Sequence, residues 1–166
     1  GYTMAAGLAP VLEWLNKPRY SDAQIKKLAK MKYPSGRAKF DPAFLEFIKN
    51  EPFRVSVKSV REGDVVFPNE PIVQVVGPKW QVLMVETAIL NAINSSSLIA
   101  TKTSRIVRAA DGRPVSEYGL RRMQELYGLN VSRSAFVGGV SATSNVDAGL
   151  EYNMDLSGTH PHAYVM

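Results

Sequence analysis

There is no cysteine in these 166 residues. Disulfides, thiolate nucleophiles and sulfur-ligated zinc are thereby excluded from the chain. That fits a reducing compartment, and a cytoplasmic location is expected. No apolar run approaches the roughly 18 residues that a membrane-crossing helix needs, and no charged-then-apolar leader opens the sequence. Histidine is scarce, with His160 and His162 the only two. Acidic residues are outnumbered by basic ones, 15 against 20, which gives a net charge of +5 and a pI near 9.5. Such a balance favours anionic partners without choosing among nucleic acid, acidic lipid and small phosphates. Lys26, Lys27, Lys30 and Lys32 cluster on one helix-like stretch. They read as a solvated face, so neither a nucleic acid nor a membrane is expected as partner.

What is present is ordinary for a globular protein: 45% hydrophobic and 21% charged residues, which argues against disorder. The sequence opens on Gly1 and closes on Tyr164-Val165-Met166 with no polar tail. A piece of a longer protein is expected, so a missing leader says little about targeting.

Along the chain, Gly1–Gly7 reads as the end of a strand entering a turn, and Ala9–Leu15 as a short amphipathic helix interrupted by Pro18. Ser21 or Asp22 can cap a second helix over Ala23–Met31. Asp41-Pro42 is an N-cap followed by proline at the first helical position, and Phe44, Leu45, Phe47 and Ile48 then supply an apolar face. From Pro52 the period changes to two. Residues 53–58, 65–67 and 72–76, separated by turns at Arg61–Asp64 and Pro68–Pro71, predict one small antiparallel sheet. Gln81 to Ala110 lacks glycine and proline and repeats Val82, Val85, Ile89 and Ile93 at helical spacing. This is one long helix or two in line, with Asn91, Asn94 and Ser95–Ser97 marking either a break or a polar cavity. Asp111-Gly112 ends it.

Strands and helices then alternate: strand 114–119, helix 131–137, strand 141–144, helix 146–152 and strand 155–159. That alternation argues a parallel sheet or barrel, and a (β/α)₈ barrel needs eight strands. The expected fold class is therefore α/β. A mixed α/β N-terminal domain over residues 1–112, with a small antiparallel sheet and a long helix, precedes the first strands of an incomplete barrel over 113–166.

In a parallel barrel the reactive groups stand at the carboxyl ends of strands. Tyr118 and Arg121 follow the first of these strands, Thr143 and Ser144 the second, Thr159 and His162 the third, so all three sets fall on one rim. Tyr118 is either a ring platform or a core aromatic. Arg121 and Arg122 either grip carboxylate or phosphate in bidentate fashion or are solvated. Thr143 and Ser144 either donate to an oxyanion or cap the following helix, and Thr159 is open in the same way. His160 and His162 are spaced for a metal, but no Asp, Glu or Cys accompanies them at ligand spacing, and no metal ligand is assigned.

Several segments in order resemble nicotinate phosphoribosyltransferase. They are Val66–Pro71, Glu86–Asn91, Ser97–Lys102, Glu117-Tyr118-Gly119-Leu120-Arg121-Arg122, Ser132–Gly139, Thr143-Ser144-Asn145 and Gly158-Thr159-His160-Pro161-His162. The resemblance spans nearly the whole chain. It implies a quinolinate-phosphoribosyltransferase-like N-terminal domain followed by the barrel of the type II phosphoribosyltransferases. It implies the joining of nicotinate to phosphoribosyl pyrophosphate, giving nicotinate mononucleotide and pyrophosphate, with ATP as cosubstrate, Mg²⁺ as cofactor and a homodimer as assembly. The Gly-Thr-x-x-His motif places the phosphorylated histidine at His162. Tyr118 occupies the ring-stacking position, Arg121 a position near the ring and phosphate, Ser144 the position that meets the ring substituent, and Thr159 a further nicotinate contact. The related nicotinamide enzyme carries Asp where Ser144 stands, and a serine can donate to a carboxylate without charge repulsion.

Ala142 stands where the family often has glycine, and Gln124–Tyr127 replaces small residues. The family's N-terminal substrate tyrosine and several later Arg and Asp residues fall outside this chain, so the fragment alone is expected to be inactive. Alternatives are a nicotinamide or quinolinate relative, against which Ser144 and His162 argue, and a carrier or binding module. The latter needs a lysine at a tight turn that is absent between Gly63 and Gly77.

Overall fold

The computed structural model describes residues 1–17, 20–122, 128–158, 160 and 162–165. The chain enters through strand β1 (Thr3–Met4), and Gly7, at φ 98°, turns it into helix α1 (Leu8–Leu15). A Cβ at Gly7 would stand 2.6 Å from the Ala92 carbonyl oxygen. Both the left-handed backbone and the close approach to a neighbouring helix therefore require glycine. Ser21 opens α2 (Asp22–Ala29) with a reciprocal capping box to Gln24, satisfying two orphan donors at once. Asp41 caps α3 (Pro42–Asn50), accepting from the Ala43 N–H at 2.7 Å.

Strands β2 (Ser56–Ser59), β3 (Val65–Val66) and β4 (Val73–Val76) follow. The expectation of one antiparallel sheet is corrected. β2 pairs with β4, whereas β3 pairs antiparallel with β1, Thr3 opposite Val66. Gly63, at φ 90°, turns the chain out of β2. The Gly63 N–H and Asp64 carbonyl bond to Ala5 instead, so β3 finds its partner sixty residues back.

Helix α4 (Lys79–Ala109) is a single unbroken rod of 31 residues. The polar residues of its middle do not break it. Ser95 returns its hydroxyl to the Asn91 carbonyl at 2.8 Å. Ser97 accepts from the Ala6 N–H and donates to the Ala6 carbonyl, both at 3.1 Å. Buried polar groups are tolerated when paired in this way. By length and composition α4 meets the criterion for a membrane-crossing helix, which corrects the expectation that nothing does. Here its inward side packs on protein: Val85, Ile89 and Ile93 form a core with Val11 of α1, flanked by Leu15, Phe53 and Ile72. Each such buried side chain contributes about 1.5–3 kcal/mol. Gln81 is wholly buried, accepting from Arg54 N–H (2.7 Å) and donating to the Pro52 carbonyl (2.8 Å).

The last third alternates as expected: β5 (Ser116–Glu117), a 3₁₀ turn (Gly119–Arg122), α5 (Leu129–Val137), β6 (Ala142–Thr143), α6 (Val146–Tyr152), β7 (Asp155–Leu156) and α7 (His162–Val165). β5, β6 and β7 form one parallel sheet in that order, with Glu117 opposite Thr143 and Thr143 opposite Leu156. α5 packs on the C-terminal half of α4 through a second core of Ala135, Val140 and Met154 with Ile99, Val115 and Tyr152. The contact is close at Gly138, whose Cβ would meet Thr103 Cβ at 2.6 Å and the Ala100 carbonyl oxygen at 2.7 Å.

Candidate functional site

Because β5, β6 and β7 are parallel and in register, the residues that leave them emerge on one edge. Tyr118 follows Glu117, Ser144 follows Thr143, and Ser157 follows Leu156. The backbone stitches these tips together: Ser144 N–H donates to the Glu117 carbonyl at 3.0 Å and Ser157 N–H to the Thr143 carbonyl at 2.9 Å. The side chains do so as well, with the Tyr118 and Ser157 hydroxyls 2.5 Å apart. Tyr118 is 47% exposed, so the core-aromatic alternative is removed and its ring is open to a ligand.

Alternation turns the neighbours of these residues inward. Glu117 carries a buried carboxylate that accepts from three donors: the Gly119 N–H, the Ser132 hydroxyl at 2.9 Å and the Thr143 hydroxyl at 2.8 Å. Asn145 joins the same network, its side-chain amide 3.2 Å from the Ser132 hydroxyl and its N–H 3.0 Å from the Thr143 hydroxyl oxygen. Thr143 is fully buried and its hydroxyl is engaged, which corrects its reading as an oxyanion donor. Neither Thr143 nor Ser144 caps α6. Asn145 does, accepting from the Ala148 N–H. Ser144 is half-buried, and its hydroxyl has no partner among the described residues. It is therefore free to donate to an incoming group.

Arg121 sits in the 3₁₀ turn, exposed, with no ion pair to any described residue. His162 opens α7 and is exposed. His160 instead stacks on Tyr164, ring centres 5.7 Å apart. Thr159, predicted as a ligand contact, lies outside the described residues, as do Gln124–Tyr127. Ser157, Glu117 and Ser132 escaped the sequence reading. The signal for Glu117 was its place one residue before the ring platform on a strand, which turns an acid into the core.

A second polar anchor holds the N-terminal segment to this region. Glu62 accepts from the Gly7 and Leu8 N–H groups at the start of α1 (2.6 and 3.0 Å) and from both terminal nitrogens of Arg133 on α5 (2.9 and 2.5 Å). The guanidinium also lies over the Tyr152 ring. Burial, the largest single influence on Glu62, pushes its carboxyl up. The Arg133 hydrogen bonds, the two backbone donors and the Arg133 charge together outweigh it, so the group is held below its ordinary 4.5.

Among the described residues no three His, Asp or Glu side chains gather into a metal site. The donor set on this rim, an aromatic ring, hydroxyls and a guanidinium, does not fit a protein-held Mg²⁺, which takes carboxylate oxygens. It fits a flat anionic ring.

The N-terminal domain model of nicotinate phosphoribosyltransferase (NAPRTase) matches residues 1–94. A nicotinate phosphoribosyltransferase of Mycobacterium tuberculosis is 37% identical over 165 residues, covering 99% of this chain and 34% of its own length. That of Bacillus subtilis is 37% identical over 166 residues, covering 99% and 33%. The chain thus spans about a third of the curated relatives it matches. The crystal structure of human nicotinic acid phosphoribosyltransferase superposes with a TM-score of 0.86 at 34% identity, over 99% of this chain and 32% of that one. The family model covers more than half of the sequence, and the chain belongs to the nicotinate phosphoribosyltransferase family.

Proposed function

We propose that the protein containing this chain joins nicotinate to phosphoribosyl pyrophosphate with consumption of ATP. The observation that carries the reading is the shared edge of β5, β6 and β7, where an open aromatic ring and an unengaged serine hydroxyl leave the ends of adjacent strands. The Tyr118 face stacks on the pyridine ring, the Ser144 hydroxyl donates to the nicotinate carboxylate, and Arg121 offers a planar fork to carboxylate or phosphate. Thr159 adds a further nicotinate contact, as the family resemblance implies.

In the transfer, the pyridine nitrogen lone pair forms a bond to the anomeric carbon as that carbon's bond to pyrophosphate breaks, and the electron pair departs with pyrophosphate. The protein's part is to align the two and to neutralise the leaving group. ATP enters through His162: an imidazole nitrogen attacks the γ-phosphorus, the bond to the β-phosphate oxygen breaks, and ADP leaves. Water later hydrolyses the phosphohistidine, coupling that energy to substrate affinity. An exposed imidazole at the first position of α7 is accessible for such a step. The residues of this chain supply only part of the pocket, and the rest of a barrel and a homodimer would complete it.

The test is to incubate the full-length protein with γ-labelled ATP and map acid-labile phosphate. Label on His162, abolished together with nicotinate-stimulated ATP hydrolysis in His162→Ala, is expected. Undiminished hydrolysis in that variant would overturn the assignment.

A further inference from the structure

We propose that Glu117 is a positioning residue whose buried carboxylate sets the spacing between the Tyr118 ring and the Ser144 hydroxyl. The proposal rests on the nicotinate reading of that space. Glu117 brackets both residues. Its side chain takes the Gly119 N–H on the far side of Tyr118 and the Thr143 hydroxyl on the near side of Ser144, while its backbone carbonyl takes the Ser144 N–H itself. Ser132 on α5 donates to the same carboxylate and accepts from Asn145, the residue after Ser144. One anion therefore holds three chain segments directly, the 3₁₀ turn, α5 and β6, and a fourth, the start of α6, through Ser132 and Thr143.

The side chains at the centre of these contacts lie away from solvent. Glu117, Ser132 and Thr143 are all buried, whereas Tyr118 is open and Ser144 half-open. The polar groups of the network are satisfied inward, and the two side chains left over face outward at a separation the network fixes. Hydrogen bonds to a charged group in a low-dielectric setting are the strong ones, and small losses of alignment are costly in a stacked, hydrogen-bonded ligand site. A neutral core here would pack as well but would leave the β5 and β6 tips to slide.

The experiment uses four single variants and one double variant of the full-length protein and steady-state kinetics with both substrates varied. Thr143→Val removes the hydroxyl that joins β6 to Glu117 and also frees the Asn145 N–H. Thr143→Ser restores both bonds. Glu117→Gln keeps the shape but offers one acceptor oxygen where there were two. Tyr118→Ala reports on the ring platform directly. We expect Thr143→Val to raise the nicotinate KM about tenfold, the effect of one misplaced charge-assisted bond. The phosphoribosyl pyrophosphate KM and kcat should stay within about twofold, and Thr143→Ser should recover the nicotinate KM. Combining Glu117→Gln with Thr143→Val should cost less than the sum of the two single effects, because they share the Thr143–Glu117 bond.

If Tyr118→Ala weakens nicotinate while the folded Thr143→Val and Glu117→Gln proteins do not, the positioning role falls and the nicotinate site stands. If Tyr118→Ala leaves nicotinate unaffected, both fall. A loss spread equally over both substrates and not recovered by Thr143→Ser would show a structural role alone and would also overturn the proposal.

Discussion

Removing the Glu62 carboxylate is the sharpest test of how the two halves of this chain are joined. In Glu62→Ala, Arg133 is left as a guanidinium whose side chain is only 19% exposed, and the Gly7 and Leu8 N–H groups lose their acceptor. Breaking a well-buried pair costs about 3–5 kcal/mol. Partial exposure places this one at the low end, about 3 kcal/mol. Arg133→Ala should cost less, because Glu62 keeps both backbone donors. A double-mutant cycle measured by urea unfolding should give a coupling of about 1.5–3 kcal/mol. Hydrogen exchange should report the same change locally, with the peptide spanning the start of α1 losing protection in Glu62→Ala more than in Arg133→Ala. The pH dependence follows from the lowered carboxyl of Glu62. Its contribution is fully present above the ordinary 4.5 and is lost as the pH falls through the lower folded value. Glu62→Gln should flatten that acid limb. Equal costs for Glu62→Ala and Arg133→Ala, or a coupling below about 0.5 kcal/mol, would refute the reasoning that Glu62 serves two elements at once.

Ser144→Asp should weaken nicotinate more than nicotinamide in competition assays, by about tenfold or more, since it sets a like charge against the ring carboxylate; equal losses would reject Ser144 as the specificity position. Gly138→Ala should destabilise the packing of α5 on α4 by about 1–3 kcal/mol, read as a lowered urea midpoint, because the added methyl meets backbone and Cβ rather than a flexible side-chain end.

The features legible in the sequence were those set by neighbours in the chain. Ser21, and Asp41 followed by Pro42, announce helix starts through caps whose bonds span two or three residues. Glycine- and proline-free spacing announced α4, and alternation in the last third announced the parallel strands and hence the common edge carrying Tyr118 and Ser144. What escaped depends on long-range partners. Val65–Val66 has the same strand character whether it pairs with β2 or with β1, and only the turn through Gly63 decides. Ser97 inside α4 looks like part of a break because its partner, the backbone of Ala6, is ninety-one positions away. Glu62 reads as a turn acid until Arg133 is brought to it. Thr143 and Ser144 are the helix-cap candidates in sequence. Burial and the Glu117 carboxylate assign Thr143 to the core, and the cap falls to Asn145 instead.

The link between the Tyr118 and Ser157 hydroxyls has a consequence for how the platform comes into being. A phenylalanine at position 118 would present the same disc but could swivel about its own axis, whereas the phenol is latched by its oxygen to a strand that arrives two helices later in the chain. The tilt of the ring is therefore not a property of β5. It is acquired when β7 docks, so a chain folded only as far as β6 would own the aromatic surface without its final slant.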